Sequence, residues 1–390
     1  MEQFSSAAIQ YFKDNIDNIP PKNNRSMLID YIKPFFKKDL DILEPSAKTG
    51  EFIHDLNKFD ISFNITSLEQ NNHLFNILSS VPNSNAQKSS LFHLSKPHNF
   101  ATYDIILGAP PSFYIDKKTD IGNKFKHWFI DKTNIFSFYF MRSIDLIKDD
   151  GVIAFILPDS FLHNPYMQLL RNKIHVTGSI LHIQRLSNLF TKTTYNTILV
   201  VYKKTKNIDS PFFVRKNNNI FFTINQPFYD FIYKDSNNLK LLNANAKFGY
   251  VHSNMSNRSG NIELMPIIYN KNIDSDNTLE LFKNSKQYID PSIINTKIYN
   301  KPSIIISKFY GNKENPYALR FAMCTLEKYI VHQNLYVVTF PRLNNEDSVI
   351  MIKKIIDSLN KDKTKTWCKY FLKDGIISKY QLTNYLPIYY

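Results

Sequence analysis

The sequence predicts an α/β fold over residues 1–235 and a second, less regular region over 236–390. Two strand-and-turn stretches and an alternation of helix and strand patterns carry that prediction. In Asp41-Ile42-Leu43-Glu44-Pro45-Ser46-Ala47-Lys48-Thr49-Gly50-Glu51-Phe52, a short apolar strand ends in an acid, a proline and a turn ahead of a helix. In Tyr103-Asp104-Ile105-Ile106-Leu107-Gly108-Ala109-Pro110-Pro111-Ser112-Phe113, a second apolar strand is stopped by glycine and two prolines. Consecutive prolines fix φ and remove two N–H donors, so this backbone must leave the sheet. Rigid turns at the carboxyl ends of parallel strands are where open α/β sheets place their ligands.

Taken in order, Ala7 to Ile16 and Ser26 to Phe36 carry amphipathic helical patterns, with Ser26 placed to cap the second. A helix is predicted from about Glu51, and a second strand over Phe63 to Leu68 ends at Glu69. An acid after the second strand, at this distance from a nucleotide-type turn, suits the hydroxyls of a ribose. Residues 114–133 read as a polar loop holding Lys117, Lys118, Lys124, Lys126 and Trp128. An aromatic helix over Asn134 to Ile147 follows. Then come a strand over Val152 to Leu157, a helix over 167–175, and strands over 178–186 and Thr197 to Tyr202. After 236 the alternation stops. A closing helix is predicted over Val349 to Asn360.

The formal net charge is +14 and the pI about 9.4. That balance favours a polyanionic partner, most often nucleic acid, through phosphate neutralisation and counterion release. Cys324 and Cys368 have no metal-ligand spacing and form no disulfide framework, which suits a reducing compartment. No secretion-signal pattern and no apolar run of about 20 residues is present, so a soluble protein of the cytoplasm or another intracellular compartment is expected.

The order and spacing of the two turns resemble the gamma-class, TaqI-like adenine-specific DNA methyltransferases. The resemblance extends through Gly151-Val152-Ile153-Ala154-Phe155-Ile156-Leu157-Pro158, and Leu264–Tyr269, Pro302–Ser307 and Leu335–Thr339 resemble, in the same order, strands of that family's DNA-recognition domain, so that it covers nearly the whole chain. It implies a Rossmann-like domain that binds S-adenosylmethionine (SAM), a C-terminal mixed α+β domain that recognises double-stranded DNA, and a monomer. By resemblance Glu44, Pro45, Ala47, Gly50, Phe52, Glu69, Ser90 and Leu91 stand at cofactor positions. Lys48 is bulky where the family keeps a small residue, and Ser90 stands in place of an Asp that accepts from the cofactor's adenine.

The Gly-Asn-Pro-Pro-Tyr turn of that family polarises the target amine between the Asn side-chain oxygen and a backbone carbonyl, once the base is flipped out. Here the turn is Gly108-Ala109-Pro110-Pro111-Ser112. Ala109 has no side-chain acceptor, and Ser112 replaces the ring on which the base would stack. Phe113 and Phe190 are the aromatic candidates for that stacking, and the Pro110 carbonyl remains. Three readings stay open: a site-specific N6-adenine methyltransferase in which Asn has been exchanged for Ala; a catalytically inactive descendant that binds DNA as a structural or partner subunit; and a working enzyme with reorganised acceptors or another substrate, such as RNA or protein.

Overall fold

A computed structural model describes residues 19–94, 102–130, 133–186, 196–205, 210–249, 264–282, 287–290, 297–311, 316–372 and 375–390. The chain divides into two compact units. One is Met1–Arg215 with Ile220–Gln226, and the other is Lys216–Asn219 with Pro227–Tyr390.

The first unit is built on a seven-stranded sheet. Its strands are β1 (Leu40–Glu44), β2 (Phe63–Leu68), β3 (Ser84–Gln87), β4 (Tyr103–Gly108), β5 (Ile147–Pro158), β6 (Ser179–Leu186) and β7 (Thr197–Lys203), in the order β3-β2-β1-β4-β5-β7-β6. The first five pair in parallel, while β7 runs antiparallel to both β5 and β6. Helices cover both faces: α1 (Lys22–Ile32), α2 (Glu51–Leu56), α3 (Asn72–Leu78), α4 (Asp120–Lys124), α5 (Ile135–Leu146) and α6 (Gln168–Thr177). Alternation along the strands divides the core. Ile105, Leu107, Val152, Ala154 and Ile156 pack with Leu28, Ile32 and Phe52. Ile106, Ile153, Phe155 and Leu157 pack with the α5 rings Phe136, Phe138 and Phe140. Strands buried on both faces read as continuous apolar runs, as β5 does.

Two local expectations change. Helix α1 starts at Lys22 with Pro21 before it, so Ser26 lies inside the helix and does not cap it. The cause is Pro20-Pro21, whose fixed φ presets the first turn, and the Pro21 carbonyl accepts from the N–H groups of Asn24 and Arg25. The loop at 114–133 contains α4, capped by the Thr119 hydroxyl, which accepts from the Gly122 N–H at 3.1 Å. The first predicted helix, Ala7 to Ile16, lies outside the described residues.

The second unit holds β8 (Asn245–Phe248), β9 (Met265–Ile268), β10 (Tyr288–Ile289), β11 (Ser303–Ser307), β12 (Phe321–Cys324), β13 (Ile330–Val331) and β14 (Leu335–Thr339). A four-stranded antiparallel sheet has the order β8-β14-β11-β12, and β9 lies between β10 and β13 in a small second sheet. Helix α7 (Asn345–Asn360) buries Ile352, Ile355 and Leu359, and α8 (Asp362–Phe371) buries Trp367. Cys324 and Cys368 are both buried free thiols. Among the described residues no helix is long and apolar enough to cross a membrane.

Candidate functional site

The strand order reverses between β1 and β4, because β2 and β3 lie on one side of this pair and β5 on the other. In open α/β sheets that reversal opens a crevice at the carboxyl ends of the strands. The register pairs Ile42 with Ile105 and Leu43 with Ile106, which carries Glu44 to Leu107 and brings Gly108 to the Glu44-Pro45 turn. Gly108 has φ +146°, and a Cβ on it would lie 3.6 Å from Glu44 Cγ and 3.8 Å from Pro45 Cδ. Ala109 shares one small space with Glu44, Ala47, Lys48, Glu51 and Phe52. The two turns singled out in the sequence therefore meet.

Residues 45–50 wrap back on β2. The Ala47 N–H donates to the Leu68 carbonyl at 2.9 Å, and the Gly50 N–H to the Ala47 carbonyl at 2.8 Å. Gly50 is left-handed at φ +87°, and a Cβ there would come 3.0 Å from both Leu78 Cδ1 and Val81 Cγ2. Lys48 is left-handed too, at φ +52°. Such a conformation costs a side-chain-bearing residue roughly 1–3 kcal/mol unless its surroundings hold it there. The holder is Glu69: the Lys48 N–H donates to Glu69 Oε2 at 3.0 Å, while Glu69 Oε1 accepts from the N–H groups of Gln70 and Asn71 at 2.8 Å each. Glu69 thus ties the end of β2 to the β1 turn with both carboxylate oxygens.

Three carboxyl groups converge here. Glu44 is 3% exposed, and its Oε2 has no hydrogen-bond partner among the described residues. Burial, then the charges of Glu51 and Glu69, push its carboxyl well above the usual range. Burial also raises Glu69, against the three N–H donors that favour its charged form. The half-buried Lys48 ammonium is lowered by burial and supported by Glu51, Glu69 and Glu44, in that order. The Thr49 hydroxyl donates to the Glu51 carboxylate.

Ser90 and Leu91, beyond β3, do not line this space. Ser90 is 1% exposed; its Oγ lies 3.1 Å from His93 Nδ1 and accepts from the Phe92 N–H at 3.3 Å. Leu91 is core. In the second turn Pro110 and Pro111 are buried, and Phe113 is half-buried against the α5 cluster. The Phe113 carbonyl accepts from the Ile135 N–H at 2.8 Å. Ser112 Oγ accepts from Asn134 Nδ2 at 3.2 Å, and Asn134 Oδ1 caps α5 at the Phe136 N–H, also at 3.2 Å. Asn134 ties the turn to α5 and was not singled out from the sequence. Its signal was there, an Asn immediately before a helical aromatic run. Phe190 lies outside the described residues.

SAM is the cofactor that the fold implies. As arranged, these residues do not fit it. The space beside Glu44 has room for about one water, and the Lys48 side chain lines it. Among the described residues no group of three or more His, Cys, Asp or Glu is placed to hold a metal ion.

Five leading parallel strands, an antiparallel β7 between β5 and β6, and acids at the ends of β1 and β2 define a Rossmann-like SAM-dependent methyltransferase fold. Residues 8–190 match the family model of the Eco57I restriction-modification methylase. Solved structures with similarity to the chain include a protein from Listeria monocytogenes described as a class I SAM-dependent methyltransferase, at 14% identity and TM-score 0.38, over 48% of this chain and 60% of that one. A protein from Vibrio vulnificus described as a modification subunit of a type I restriction enzyme aligns at 13% identity and TM-score 0.38, over 46% and 44%. The type IIG restriction endonuclease BpuSI aligns at 13% identity and TM-score 0.44, over 96% of this chain and 59% of its own. The chain therefore spans less than two thirds of each. No curated protein sequence matches it.

Proposed function

We propose that this chain is a DNA-binding protein that keeps the catalytic frame of a restriction-modification methylase and has lost the groups that complete methyl transfer. Ala109 carries the proposal. Methyl transfer to an adenine amine calls for an amide oxygen at this turn, and Ala109, which shares a space with Glu44, has only a methyl group to offer. Removing one preorganised donor or acceptor of this kind costs on the order of 10²–10³ in rate. Ser112 adds to the loss, because a hydroxyl held by Asn134 offers a flipped base no stacking face; such a face is worth roughly 1–3 kcal/mol.

The partner proposed is double-stranded DNA, bound mainly through phosphates. The second unit holds 23 Lys and Arg against 14 Asp and Glu and so carries most of the net charge of +14. The expected behaviour is binding to duplex DNA without added cofactor, with log K falling linearly against log salt concentration. The reaction proposed as lost is SAM-dependent N6-adenine methylation.

A second reading, a working adenine methyltransferase, is favoured by one observation: Glu44, Gly108 and the Pro110-Pro111 turn keep the juxtaposition that such an enzyme needs. Transfer of tritiated methyl groups to mixed-sequence duplex DNA separates the two. Incorporation into adenine by the natural chain would overturn the non-catalytic reading, and salt-insensitive or undetectable DNA binding would remove its other half.

A further inference from the structure

We propose that the Lys48 ammonium sits where a cationic cofactor's own positive group would sit, so that the chain excludes SAM and a single substitution at Lys48 re-opens the site. The inference rests on reading the β1–β4 end as descended from a cofactor pocket and does not depend on DNA binding.

Three observations place the lysine in that role. Lys48 lines the same small space as Glu44, Glu51 and Ala109. The backbone that aims it there is left-handed at φ +52°, a conformation that glycine adopts freely and lysine does not. Its N–H is pinned to Glu69 Oε2 at 3.0 Å, which fixes the turn from which the side chain leaves. The acids supply the reason. Glu44 is buried with one carboxyl oxygen lacking any hydrogen-bond partner among the described residues, and it faces this space together with Glu51. Carboxyl groups gathered in a buried space favour a cation beside them. SAM would bring two, an ammonium and a sulfonium. Lys48 brings one on a flexible stem that also takes up the volume. SAM would then meet a like charge in place of the acids alone.

The test is isothermal titration calorimetry of SAM against the full chain, natural and carrying Lys48→Gly. Glycine suits the left-handed position, and thermal unfolding verifies that the variant folds; Lys48→Asn, which also tolerates this backbone, serves as a second variant. The natural chain is expected to show no binding up to roughly 1 mM. The variants are expected to bind on the order of 10²–10³-fold more tightly, the scale set by removing one like-charge contact near a protein surface. Micromolar SAM binding by the natural chain overturns the proposal, as does a folded Lys48→Gly protein that still binds no SAM. Duplex DNA binding, measured in parallel by fluorescence anisotropy, reports on the proposed function separately, so loss of one reading leaves the other readable.

Discussion

The two ends of the β1–β4 strand pair handle acidic residues in opposite ways. At the amino-terminal end Lys148 Nζ lies 2.8 Å from both Asp41 Oδ2 and Asp104 Oδ2, and the Asp41 N–H donates to Asp104 at 3.0 Å. Burial works to raise the Asp104 carboxyl, but these donors hold it below the usual range, and burial fails likewise to lower Lys148, which its two acids raise. At the carboxyl-terminal end Glu44 is more deeply buried, keeps one oxygen without a hydrogen bond among the described residues, and is raised. One end is satisfied and favours folding. The other is frustrated, with burial opposing the charge of Glu44.

The comparison breaks most sharply if chemistry returns to the frustrated end. In a Lys48→Gly background, Ala109→Asn is expected to raise methyl transfer to duplex adenine on the order of 10²–10³-fold over Lys48→Gly alone. The readout is tritium incorporation; no gain would mean that the turn is not a target-base turn. Next in size is Gly108→Ala, which forces a Cβ onto φ +146° and is expected to cost roughly 1–3 kcal/mol in urea unfolding. An unchanged midpoint would show that the turn relaxes without strain.

Glu44→Gln sharpens the contrast through pH. A carboxyl raised in the folded state holds stability that is complete below its unfolded pKa and lost as pH rises through its folded pKa. The variant is therefore expected to be more stable than the natural chain by on the order of 1 kcal/mol at pH 8, with little difference at pH 4. A variant less stable at pH 8 would mean that the Glu44 charge is compensated after all.

The smallest effect is expected at the satisfied end. Lys148→Ala should cost roughly 0.5–1 kcal/mol at pH 7, because the network is partly exposed. Asp104 is depressed, so its contribution is present above its unfolded pKa and is lost as pH falls through its folded pKa. The cost should therefore shrink on acidification, and a cost independent of pH would point to lost packing of the lysine stem.

The sheet and its switch point were legible because they are written in one-dimensional signals. Continuous apolar runs announced β1, β4 and β5, and the Gly108 and Pro110-Pro111 punctuation marked where β4 leaves the sheet. The state of the site was not. That Glu69 would spend both oxygens on the N–H groups of Lys48, Gln70 and Asn71, and that Ser90 would turn toward His93, depends on turn conformations that residue type does not specify. Lys48 was visible as a misfit of size; its left-handed backbone and its placement against Glu44 came only from three-dimensional packing. The start of α1 follows Pro20-Pro21, a stronger constraint than the favourable cap residue Ser26.

Helix α5 has a consequence for how the chain is made. Eleven of its 12 residues are buried, leaving only Asp145, which pairs with Lys173 at 2.5 Å. A helix buried on nearly every side, and mostly by apolar residues, has no stable surface of its own. During synthesis it emerges before β5, β6 and β7, and the last of these ends at Lys203. At 5–20 residues per second, that leaves Phe136, Phe138 and Phe140 uncovered for roughly 3–11 s on each ribosome. The sheet that builds the site is thus also the cover for an aggregation-prone intermediate. Chains truncated before β7 should partition into the insoluble fraction or onto chaperones, while in the finished chain the amides of α5 should be among the slowest to exchange.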